Sequence, residues 1–158
     1  MPIEIRRFGV GHRRPDGPAG SDGVESRVIE ARASGSVTEL AFGRVARLVP
    51  HASPRWTCFL VIEGGGWTGV GDERCRVGAG EAAVWPPDVL HAAWTDGTPM
   101  RAIVVELAED PRQLSAVVDG LAGVVAGAAR PVTRGEGRLA DRPRPRRSAS
   151  EADEGEPL

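Results

Sequence analysis

The stretch WTCFLVIEGGGWTGVGDERCRVGAGEAAVWPPDVLHAAW, Trp56–Trp94, decides the fold class. It divides into short runs rich in Val, Ile, Leu, Phe and Trp: Trp56–Glu63, Trp67–Val70, Arg74–Val77, Ala82–Trp85 and His91–Trp94. Turn signals separate them, namely Gly64-Gly65-Gly66, Gly71-Asp72, Gly78-Ala79-Gly80 and Pro86-Pro87-Asp88. The triple glycine reads as a hairpin turn. Short strands at close, regular spacing with no helix between them are the pattern of an all-β sandwich or barrel.

The same texture extends outward. Val28–Glu30, Val37–Phe42 and Val45–Val49 precede the stretch, and Met100–Leu107 follows it after the Asp96-Gly97 turn. Residues 26–108 are therefore expected to form the barrel. Residues 1–25 read as an N-terminal strand, Ile3–Phe8, and a loop dense in Gly, Pro, Arg and Asp, Gly9–Gly23. Past the barrel the period changes. Asp110 can cap a helix, Pro111 suits its first position, and Gln113 completes a capping box. Leu114, Val117, Val118, Leu121, Val124 and Val125 recur on one helical face, predicting a helix over 110–130. Gly120, Gly123 and Gly127 weaken it by about 1 kcal/mol each relative to Ala. Its apolar stripe must pack on the barrel's outer face or on a second subunit. Residues 131–158 hold six Arg, six acidic residues and four Pro with almost no large apolar side chains. Nothing there offsets the entropy of ordering, so a disordered tail is expected.

Composition narrows the function classes. The 158-residue chain is long enough for one domain with a real core. Its net charge of −2 gives no electrostatic reason to expect nucleic acid or an anionic membrane as partner. The Arg block Arg142–Arg147 is followed by acidic residues and reads as a solvated polyampholyte. All 20 basic residues are Arg, and Lys, Asn and Tyr are absent, which looks like a GC-rich bacterial genome. Met1–Arg14 is polar and is not a secretory signal, and no run approaches the ~20 apolar residues that span a bilayer, so a cytoplasmic protein is expected. Cys58 and Cys75 lack metal or redox spacing and read as two reduced, partly buried thiols. By strand parity with Thr57, Cys58 points out of the barrel and is no catalytic thiol.

The residues that carry chemistry lie in GEAAVWPPDVLHAAWT, Gly80–Thr95. Gly80 turns the chain into a strand, Pro86 and Pro87 end it, and His91 follows on the returning strand. This resembles the second motif of the cupin family, G-(x)5-P-x-G-(x)2-H-(x)3-N. Gly80, Pro86 and His91 match, with Asp88 in place of the second Gly and Thr95 in place of Asn. Upstream, HASPRWTCFLVIEGGG is similar to the first cupin motif, G-(x)5-H-x-H-(x)3,4-E-(x)6-G. His51 and Gly64 match it, while Val45, Ser53 and Thr57 stand where the opening Gly, the second His and the Glu belong. The resemblance covers nearly half the chain and implies a cupin jelly-roll β-barrel with a C-terminal helix and a disordered tail.

Cupins typically hold Fe, Mn, Zn or a similar divalent ion, Ni included, with three His and one Glu. Here the resemblance implies His51 and His91 as metal ligands and His51, Ser53, Thr57 and His91 as the ligand-binding set. Equal parity along a strand lets His51, Ser53 and Thr57 face inward together if no bulge intervenes. Two imidazoles and two neutral hydroxyls make a poor metal site. His12 is a loop histidine that could add a third ligand. Without metal, the histidines would bind an anionic or hydrogen-bonding ligand or serve as acid and base near neutral pH. Trp56, Trp67, Trp85 and Trp94 all lie in the barrel, and one or two could wall a pocket. By parity Trp56 and Trp94 face away from the histidines and suit an interface instead.

Three functions follow. The first is a single-domain cupin binding a small polar molecule, with metal weak or absent. The second is a metal-dependent enzyme of oxygenase or isomerase type. The third is a dimeric interaction module using the helix and tail. The family resemblance also implies a homodimer. No nucleotide-type phosphate loop, serine nucleophile elbow or DNA-binding segment is visible.

Overall fold

The computed structural model describes residues 2–15 and 17–111. Seven strands carry the fold: β1 (Asp22–Arg32), β2 (Gly35–His51), β3 (Trp56–Val70), β4 (Glu73–Gly78), β5 (Ala82–Trp85), β6 (His91–Trp94) and β7 (Met100–Leu107). The all-β expectation holds, and the last three strands keep the bounds expected from sequence. The predicted helix beyond Pro111 and the tail lie outside the described residues. Among the described residues, no helix is long and apolar enough to cross a membrane.

Every strand pairing is antiparallel, and two long strands change partners midway. The first half of β2 pairs with β7 through Gly35↔Leu107 to Phe42↔Met100. Its second half pairs with β6 through Arg47↔Trp94 and His51↔His91. Likewise β3 pairs with β5 and β7 up to Gly64, then with β4 and β6 from Gly65 onward. The sheets therefore share β2 and β3, and the result is a closed jelly-roll barrel. Sharing strands between sheets leaves few bare edges, which suits a barrel with no helices among its strands.

This corrects the reading of the triple glycine. Gly64-Gly65-Gly66 is no hairpin turn but the middle of β3, where the strand passes from one sheet to the other. Gly64 has φ +68°, and a Cβ there would sit 1.8 Å from the Pro99 carbonyl oxygen. A Cβ on Gly66 would sit 2.3 Å from the Trp94 carbonyl oxygen. The glycines let two backbones approach where a side chain would block closure. The separate runs Val37–Phe42 and Val45–Val49 likewise merge into β2, bending near Gly43. Thr95 secures that bend: its hydroxyl donates to the Gly43 carbonyl (2.6 Å) and accepts from the Ala46 N–H (2.9 Å).

The core lies between the sheets. Along β3 Thr57, Phe59 and Val61 are buried while Trp56, Cys58 and Leu60 are half-buried, the period-two pattern of a strand with one inward face. Phe42 and Phe59 meet edge to face at 6.1 Å. With Leu48, Met100, Ala102 and Trp85 they form one apolar cluster. Each large side chain so buried contributes about 1.5–3 kcal/mol.

Two further expectations are revised. Ile3–Phe8 forms no strand; Ile3 and Ile5 are exposed, and the segment makes its contacts to β1 through Arg6, which donates to the Ile29 carbonyl and pairs with Glu30. The barrel itself begins at Asp22, four residues earlier than its apolar texture suggests, because Val24 is the first buried side chain. Cys58 is half-buried on the outer face as expected, but Cys75 is exposed; both are free thiols. Burial pushes the Cys58 thiol pKa up, away from nucleophilic reactivity.

Candidate functional site

A cavity of about 310 Å³ opens between the sheets. His51 reaches it from the end of β2 and His91 from the start of β6, and the two are direct cross-strand partners. Their rings meet edge to face with centroids 4.5 Å apart. Leu40, Leu48 and Val104 provide apolar wall, and Thr38 and Thr57 provide hydroxyls.

His91 is held on both sides. Its ring stacks on the Trp85 indole (4.3 Å, 17°), and Trp85 stacks in turn on Phe59 (4.8 Å, 18°). The Trp85 indole N–H donates to Thr68 Oγ1 at 2.8 Å, and that hydroxyl donates to the Ala92 carbonyl at 3.1 Å. Trp85 is thus fixed at both ends and fixes His91. It borders the cavity, yet its two faces are occupied by Phe59 and His91 and are not offered as a platform.

The backbone sets the tautomer of both histidines. His51 Nδ1 lies 2.8 Å from the Val49 carbonyl oxygen, and His91 Nδ1 lies 3.1 Å from that of Val89. A carbonyl only accepts, so Nδ1 carries the proton in each ring. The neutral ring then has its lone pair on Nε2. For His91 the neutral form dominates: burial, followed by the neighbouring His51, lowers its pKa to about 4 against the smaller opposing effects of the Val89 carbonyl and Glu106.

Glu106 joins the site from β7. Its register partners are Ser36 on β2 and Thr57 on β3, so it sits between two strands that face the cavity. Ser36 Oγ donates to Glu106 Oε2 and Ser53 Oγ to Oε1, both at 2.9 Å. Sequence reasoning missed this carboxylate because the resemblance looked for it at position 57. The signal was present: Met100 and Ala102 are buried inward positions of β7, and equal parity carries Val104 and Glu106 into the same cavity.

Of the four residues expected in the site, His51, Thr57 and His91 line the cavity. Ser53 is buried and serves the site indirectly through Glu106. The single-strand argument for His51, Ser53 and Thr57 fails, since β2 ends at His51 and β3 begins only at Trp56. Ser53 lies in the connection and also accepts the Asp88 N–H at its carbonyl (2.8 Å). Asp88, which stands where the cupin motif has Gly, has φ +60°, so the left-handed turn of that motif is kept without its glycine. His12 is exposed in the N-terminal loop and does not line the cavity. Trp94 lies on the outer surface, stacked on Trp67 (6.2 Å), whose other contacts are the Arg76 guanidinium and the Asp96 carboxylate.

The donor set does not fit a tightly held divalent ion. Two Nε2 atoms are suitable ligands, but both oxygens of Glu106 already accept from the Ser36 and Ser53 hydroxyls, and Thr57 is neutral. Among the described residues, no three His, Cys, Asp or Glu side chains converge in a metal-holding group.

The geometry agrees with comparisons to known proteins. Residues 37–106 match the family model described as a cupin domain. Comparison with curated protein sequences found no match. The chain is similar in structure to a cupin-like protein of Thermotoga maritima (TM-score 0.57, 16% identity, 64% of this chain and 82% of that one). It is similar to the polyketide cyclase RemF of Streptomyces resistomycificus (0.56, 21%, 68% and 82%). It is also similar to KdgF of a Halomonas species (0.53, 19%, 63% and 90%). At such identities these likenesses speak for the fold alone. Residues 37–106 of this barrel, with His51 and His91 facing each other across β2 and β6, are a cupin domain.

Proposed function

We propose that this protein binds a small polar molecule inside its barrel, with metal weak or absent. The observation that carries the reading is the cavity itself: a space of about 310 Å³ with apolar walls and three polar side chains in its lining, His51, His91 and Glu106. Binding sites for small molecules combine these features, an apolar enclosure and a few placed polar atoms that fix orientation. The hydrogen bonds that hold Glu106 and both imidazoles from behind support it further, because a preorganised group loses little freedom on binding.

A second reading, a metal-dependent enzyme using His51 and His91 as ligands, is favoured by one observation. Both rings carry their proton on Nδ1 and so have an Nε2 lone pair for a metal. It requires further ligands beyond the protein groups gathered here.

Elemental analysis of the full chain, purified without affinity tag or chelator, separates the two. The binding reading expects substoichiometric metal and no retention after reloading with Fe, Mn, Zn or Ni. Near-stoichiometric metal that disappears in a His51→Ala/His91→Ala double variant would establish the second reading instead.

A further inference from the structure

The polar side chains that set the character of the cavity are His51, His91 and Glu106, beside the hydroxyls of Thr38 and Thr57. His51 and His91 spend their Nδ1 protons on the carbonyls of Val49 and Val89, so the ring nitrogen each has left for a ligand is Nε2. Glu106 is an acceptor, and the hydroxyl protons of Ser36 and Ser53 are already directed at it. The Trp85 N–H is spent on Thr68. Among the described residues that line the cavity, none is Arg, Asn or Gln, and the chain has no Lys. An anionic ligand would therefore meet the Glu106 carboxylate with no Arg or Lys side chain in the lining to receive it. A ligand rich in N–H or O–H groups would meet partners.

Resting on the binding function proposed above, we infer that the cavity selects hydrogen-bond donors. Its ligand class is a small ammonium-bearing molecule with a compact apolar body, and carboxylates and phosphates are disfavoured. The ammonium group presents three N–H donors to a site whose acceptors are Glu106, His51 and His91. The apolar body faces Leu40, Leu48 and Val104. Of the two ligand kinds expected for these histidines, anionic or hydrogen-bonding, the inference selects the second.

The test uses one carbon skeleton with three head groups: cyclohexylamine, cyclohexanol and cyclohexanecarboxylate. Each is titrated into the full chain at pH 7 while the ring signals of His51 and His91 are followed by NMR. The expected order is ammonium, then alcohol, then carboxylate, with the ammonium favoured over the carboxylate by about tenfold or more. In Glu106→Gln that preference collapses to a few-fold. The ranking on the unaltered chain stands whether or not the variant folds. Carboxylate binding as tight as ammonium would overturn the ligand class while leaving a binding cavity in place. A preference unchanged in a folded Glu106→Gln protein would also overturn it. Signals that move with none of the three compounds would remove the binding function along with the inference.

Discussion

The imidazole of His91 lies stacked against the indole of Trp85, ring centroids 4.3 Å apart and planes 17° from parallel, at the wall of a cavity that Glu106 also lines. Phe59 continues the stack behind Trp85. A histidine so enclosed is held in one place and kept neutral, and each property has a measurable consequence.

Neutrality makes stability depend on pH. The folded His91 has a pKa of about 4, and an unfolded histidine titrates near 6.5. Between those values the unfolded chain takes up the proton and the folded chain does not. Stability is thus fully present above about pH 6.5, falls as the pH drops toward 4, and loses no more from this group below that. The expected loss is about 3 kcal/mol across the window. Urea denaturation at a series of pH values checks it, with His91→Gln expected to flatten the curve over the same range.

Trp85 is expected to matter more for the position of His91 than for contact with any ligand. Trp85→Phe removes the N–H bonded to Thr68 and part of the surface under the imidazole. It should cost about 1–3 kcal/mol, and the His91 ring signals should broaden or move while those of distant residues stay fixed. An unchanged His91 spectrum in a destabilised variant would count against the positioning role.

The strand crossover gives a sharper expectation. Gly64→Ala places a methyl group against the Pro99 carbonyl at a backbone φ of +68°, so the β3 bend must open. The loss should exceed about 3 kcal/mol, enough to unfold a marginal domain. Gly43→Ala is the control: the nearest atom to its added Cβ is 3.6 Å away, an ordinary contact. Thermal denaturation of the two variants compares them directly.

Asp88 tests how the left-handed turn before His91 is maintained. Asp88→Gly should leave stability equal or higher, and Asp88→Val should lower it by about 1–2 kcal/mol, since a β-branched residue tolerates φ +60° poorly. Melting temperatures of both variants suffice.

These residues also show how far the sequence could be read. The strands Ala82–Trp85, His91–Trp94 and Met100–Leu107 were legible to the residue because each is short, apolar and closed by Gly, Pro or Asp. The long strands β2 and β3 were not. Glycine marks a turn and a sheet crossover alike, and only the approach of the Pro99 and Trp94 carbonyls separates the two at Gly64 and Gly66. His51 and His91 could be placed by motif spacing. Glu106 could not, since its role depends on lying between Ser36 and Thr57 across strands distant in sequence.

One further carboxylate was invisible for the same reason. Glu39 is fully buried, and its Oε1 receives N–H groups from Arg13 (2.6 and 3.1 Å) and Arg101 (2.6 Å). Burial alone would raise its pKa, but the hydrogen bonds and charges of the two arginines outweigh it and hold the carboxyl below its usual range. The pairing joins the N-terminal loop to β2 and β7, a connection that no spacing in the sequence announces.

The central claim is that the cavity presents lone pairs, and nitrogen NMR of the histidine rings tests it most directly. At pH 7 the account predicts that Nδ1 is protonated in both His51 and His91, and that Nε2 of His91 is unprotonated. A ring protonated on Nε2 instead, or a His91 that carries both protons at this pH, would contradict it.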